Sequence, residues 1–111
     1  MVEITDAMMR ERIAGTRQYV FVMLYVGPNY DPVTSRPVIW EHGRRNMQLN
    51  DQGIMPIVCP MNDDTPLAGI AIFAAEPDRV AVIMDGDPGV EAGIFTYEIH
   101  PCRGFPGSTL P

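Results

Sequence analysis

The sequence predicts an α+β domain in which two helices cover one face of a four-stranded antiparallel sheet, in the order strand, helix, strand, strand, helix, strand. Three observations carry this. Four apolar or alternating runs of strand length, Tyr19–Val26, Ile54–Cys59, Leu67–Ala75 and Ile94–Ile99, each end next to or one residue short of a Gly or Pro. The segments after the first and third runs lack alternation and carry helix-end signals. The second and third runs are separated only by turn residues, so they pair as a hairpin. A chain of 111 residues with 46% hydrophobic content suits one core with short connections.

Taken in order, Thr5 to Ala14 can form a short helix capped by Thr5 or Asp6 and ended by Gly15, an extension spanning residues 1–16. Tyr19–Val26 is β-branched and aromatic, closes at Gly27-Pro28 and fits a central strand covered on both faces. A polar loop from Asn29 to Pro37 leads into a helix over Ile39–Asn50 that stops before Gly53, with Gly43 weakening it by about 1 kcal/mol relative to Ala. Ile54–Cys59 and Leu67–Ala75 form the hairpin around Asn62-Asp63-Asp64-Thr65-Pro66. Pro77 suits the first turn of the next helix and Asp78 its positive end, with Val80, Ile83 and Met84 on one face and Gly86 at the stop. Ile94–Ile99 is a half-buried strand ending at Pro101. Residues 104–111 are too rich in Gly and Pro for a regular element, leaving residues 17–103 as the folded domain.

This βαββαβ order is that of a ferredoxin-like split βαβ unit. One sheet face is left without helices, and a chain this small leaves much apolar surface wet as a monomer. A homodimer packed sheet to sheet through a two-fold interface is therefore expected, and the sequence leaves open whether dimers assemble into a higher oligomer.

Composition narrows the partners. Eight Lys and Arg against fourteen Asp and Glu give a net charge of −6, and the basic residues form no stripe that could neutralise a phosphate backbone. Nucleic acid is excluded as a partner. The charged N-terminal stretch does not read as a secretion signal, and no run approaches the roughly 18–20 apolar residues of a membrane helix, so a cytoplasmic protein is expected. Cys59 and Cys102 are too few for a disulfide framework and lack the paired spacing of a zinc site. Neither Asp63-Asp64 nor Asp85 with Asp87 has the oxygen-ligand count of a calcium site. No metal and no cofactor are expected.

The segment Asp87-Pro88-Gly89-Val90-Glu91-Ala92-Gly93-Ile94-Phe95 is similar to the Asp-Pro signature, turn, Ala-Gly pair and last strand of the YciI-like family. His42 precedes Gly53 by the interval separating that family's helix histidine from the glycine ending its helix. Cys59-Pro60-Met61 stands where the family has Gly-Pro, and Pro101 where it has the Pro of its fourth strand. The resemblance covers Tyr19 to Cys102, departing in Gly43 after the histidine and in polar Asn46. It implies the dimeric α/β barrel fold and a cleft with a His/Asp pair proposed to be catalytic. It also implies chemistry on small organic molecules: one relative removes chloride from a hydroxylated aromatic, and the wider superfamily includes lactone isomerases.

Topology supports the pair independently. In this strand order the chain enters the middle helix at the sheet end where it leaves the later one, bringing His42 towards Asp87. A His beside a carboxylate is a competent general base. The expected reaction is proton abstraction by His42 in a lyase or isomerase; the alternative is a non-catalytic metabolite-binding or regulatory dimer using the same cleft. Asp87 also has a structural reading, as the N-cap of a turn beginning at Pro88. Arg45 is a candidate for an anionic substrate group, and Tyr25 and Trp40 for aromatic lining of the cleft. The expected ligand is a small organic molecule, anionic or a hydroxylated aromatic. Arg44 suits a solvated helix face, Cys59 lacks an activating base, and His100 reads as structural or surface.

Overall fold

Alternation along the first strand, β1 (Arg17–Val26), divides its side chains between two environments. Val20, Val22 and Leu24 are buried, whereas Tyr19, Phe21, Met23 and Tyr25 are half-buried on the opposite face. In this computed structural model, which describes Met1 to Pro111, the remaining strands are β2 (Ile57–Pro60), β3 (Leu67–Phe73) and β4 (Phe95–Gly104), and the helices are α1 (Asp6–Ala14), α2 (Arg36–Asp51), α3 (Pro77–Asp85) and the single-turn α4 (Pro88–Glu91). The sheet order is β2-β3-β1-β4 and every pair is antiparallel. The protein is thus α+β with the ferredoxin-like arrangement. Val20, Val22 and Leu24 meet Phe73, Ala71 and Gly69 across the β1–β3 ladder. With Met55, Val80, Met84, Ile94 and Phe95 they form one core between sheet and helices.

Element ends differ from the sequence reading for identifiable reasons. α2 begins at Arg36 rather than Ile39 because Pro37 suits a helix's first turn, while buried Ser35 accepts from the Asp31 amide at 2.9 Å. β2 begins at Ile57 rather than Ile54. The amides of Ile54 and Met55 instead donate to the Leu49 carbonyl, closing the end of α2, and Pro56 has no N–H to offer a ladder. β4 runs through Pro101 to Gly104 instead of stopping; it is an edge strand, where proline is tolerated.

The helix-free sheet face joins Tyr19, Phe21, Met23 and Tyr25 to Ile70 and Ile72 of β3 and Ile57 of β2. Cys59 and Cys102 lie on β2 and β4, the two outer strands, and are free thiols. Three inter-strand steps of about 4.8 Å exceed the Cα separation a disulfide spans. α1, capped by Thr5 Oγ1 accepting from the Met8 amide at 3.2 Å, buries none of its residues. No helix is long and apolar enough to cross a membrane.

Candidate active site

Asp87 ends the chain's passage out of α3 and stands at the N-cap of α4, where extended backbone turns its carboxylate back over the helix start. Its Oδ2 accepts from the amides of Gly89 at 2.9 Å and Val90 at 3.2 Å. The same carboxylate meets His42 Nδ1 at 2.8 Å through Oδ1 and 2.9 Å through Oδ2. Asp87 is 1% exposed, so these donors replace the water it lacks. The cap and the histidine partner are therefore one group, and the two sequence readings of Asp87 are compatible.

His42 lies in the second turn of α2 with its side chain 12% exposed. The Phe95 ring packs against the imidazole with centroids 4.8 Å apart. Gly89 is required below it, since a Cβ there would stand 2.5 Å from the Phe95 ring. At the other edge of the imidazole, Asn46 Nδ2 lies 3.1 Å from Nε2. A carboxylate at Nδ1 accepts a hydrogen bond from the N–H of that nitrogen, which leaves Nε2 of the neutral ring as an acceptor for the Asn46 amide. Asn46 is four residues after His42 on the same helical face, and that spacing is the signal which would have placed it in the site.

The imidazole opens on a cavity of about 260 Å³ between α2 and the sheet. Its wall is mainly apolar, including Val22, Leu24, Met55, Met84 and Phe95, with His42 and Asn46 as polar groups and Cys59 at the β2 side. Three residues expected to contact ligand do not line it. Tyr25 has odd parity on β1 and projects from the helix-free face, its hydroxyl 3.6 Å from Met23 Sδ. Trp40 points outward from α2 and is 70% exposed. Arg45 lies behind the pair, its Nη1 3.8 Å from Asp87 Oδ1, so its charge supports the carboxylate rather than facing the cavity. Arg44 pairs with Glu41 on the helix surface and His100 with Glu98. No group of three or more His, Cys, Asp or Glu is arranged to hold a metal ion.

No family model and no curated protein matches the chain. A solved structure does. The 5-chloro-2-hydroxyhydroquinone dehydrochlorinase of Burkholderia phenoliruptrix, in complex with 2,5-dihydroxybenzoquinone, aligns with a TM-score of 0.51 at 16% sequence identity, covering 73% of this chain and 90% of that one. The likeness is one of fold.

Proposed function

We propose that the chain is a YciI-like enzyme, a lyase or isomerase that takes a proton from a small organic molecule with His42 as base and Asp87 as its orienting partner. The observation that carries this reading is the 2.8 Å His42–Asp87 contact in the wall of an apolar cavity. With Nδ1–H held by the carboxylate, Nε2 is the nitrogen free to accept a proton. The positive charge that develops on the ring is stabilised by Asp87, which has no water to weaken the interaction. Asn46 yields its contact with Nε2 as the substrate proton arrives, or turns its amide so that Oδ1 accepts from the new N–H. A cavity of about 150 Å³ suffices for a benzene ring, so 260 Å³ suits one substituted ring or a lactone. The dehydrochlorinase with the same fold, solved with a dihydroxybenzoquinone, supports a lyase acting on a hydroxylated ring.

One observation favours a second reading. The Nε2 position is already occupied by the Asn46 amide, which closes the polar network and suits a cavity that holds a metabolite without transforming it. Turnover separates the two. Screened against hydroxylated aromatics and lactones, the parent converts at least one compound, and Asp87→Asn keeps its circular dichroism spectrum while losing about 10²–10⁴-fold in rate. Binding without conversion by the parent favours the second reading. Conversion at the parent rate by both Asp87→Asn and His42→Gln removes the pair from the chemistry.

A further inference from the structure

The outer face of α2 is unpartnered within the protomer, and its charges oppose those its own helix favours. Trp40 is 70% exposed and Met47 75%, two turns apart on one face. Between them Gly43 sits in mid-helix with open space where a Cβ would stand. No protein atom in the protomer would meet a Cβ at this position, which borders both the outer face and the rim of the cavity, yet it holds the one residue other than proline that most weakens a helix relative to alanine. Arg36 occupies the first position of α2 and Asp51 the last, both exposed, so each faces the end of the helix macrodipole that carries its own sign.

We propose that this face is a two-fold interface with α2 of a second copy, the two helices antiparallel and crossing at Gly43. A two-fold axis between Gly43 and Arg44 sets Arg36 against the partner's Asp51, Trp40 against the partner's Met47 and Gly43 beneath the partner's Arg44, each pairing occurring twice. Thioether against indole is a favourable contact. The opposed charges offset one another, and the antiparallel dipoles remove the mismatch at each helix end. Glycine at the crossing lets the axes come to about 8 Å, the near end of the range for packed helices. Arg44 is already matched by Glu41 at 3.1 Å, so bringing two copies of it near the axis adds little repulsion. The occupant is a second copy because the face complements itself: its charges and its large apolar side chains are mirrored about the helix centre, which a different partner would not require. His42 and Asn46 face the cavity on the other side of α2, and the helix-free sheet face is untouched. The two surfaces can be used at once.

Sedimentation equilibrium of the full chain over the micromolar range tests this. Trp40→Ala and Arg36→Glu each weaken association by about tenfold or more, and Arg36→Glu with Asp51→Arg recovers the parent equilibrium to within about threefold, with unchanged circular dichroism throughout. An association equal to the parent's in Trp40→Ala overturns the inference, as does a double charge reversal that associates no better than Arg36→Glu alone.

Discussion

At the scale of single residues the site is a line of three side chains with alternating hydrogen-bond sense: Asp87 accepts, His42 donates and accepts, Asn46 donates. This order makes the Asn46 amide a control on the protonation of His42. Nitrogen-15 spectra of the neutral imidazole should show one protonated nitrogen, Nδ1, and one bare nitrogen, Nε2. Asn46→Asp places an acceptor-only group at Nε2 and should protonate that nitrogen as well, while Asn46→Leu should leave it bare. A bare Nε2 in Asn46→Asp would mean that residue 46 does not govern the ring. Arg45 completes the set from behind, and its replacement by Ala removes the cation nearest Asp87 without changing the cavity wall.

At the scale of elements the short connection from α3 to β4 does more than its length suggests. Pro88 starts α4, Gly89 lets Phe95 close over His42, and Gly93 takes a φ of +72°, where its missing Cβ leaves room for Asn29. α3 is fastened to β4 by Tyr97, whose hydroxyl donates to Asp85 Oδ1 at 2.6 Å. Burial first, then that hydrogen bond and the negative charge of Asp85, push the Tyr97 hydroxyl up to about 12 from its ordinary 10.0. A pKa raised by folding marks stability held by the neutral form. That stability is fully present below pH 10 and lost as the pH rises towards about 12. Tyr97→Phe should lower unfolding free energy by about 1 kcal/mol from neutral pH to pH 9, with the gap to the parent narrowing above pH 10. Urea titrations at pH 7, 9 and 11 measure it; a gap that stays constant to pH 11 would dissociate the hydrogen bond from stability.

For the whole molecule, the uneven distribution of apolar surface matters most. The radius of gyration is 16.3 Å, against about 13 Å for a compact chain of this length. The excess reflects α1, which buries none of its residues, and the tail after β4. The sheet face without helices collects Phe21, Met23, Tyr25, Ile70 and Ile72, a surface that a soluble monomer seldom leaves wet. We expect a dimer through this face, and Met23→Glu at its centre should give a folded species of half the parent mass by light scattering coupled to gel filtration. An unchanged mass would move the interface elsewhere.

Much of the fold is legible in the sequence because strand alternation, turn residues and helix stops are local. The strands, the two main helices, the N-terminal helix and the Asp87 cap all follow from neighbours in the chain, and the element order implies the sheet topology. The boundaries that moved did so through contacts the local pattern does not contain: the Leu49 carbonyl capturing Ile54 and Met55, and an edge position that admits Pro101. His42 and Asp87 were legible as a pair through topology and resemblance. The cavity lining was not. Whether Tyr25 faces helices or the open sheet depends on strand parity against a tertiary core, and whether Arg45 reaches a ligand or a carboxylate depends on the packing of α2 against the turn at Asp87. Sequence determines periodicity and hence which elements form. Only the packed structure decides which face of each element meets the cavity, because facing is a relation between segments far apart in the chain.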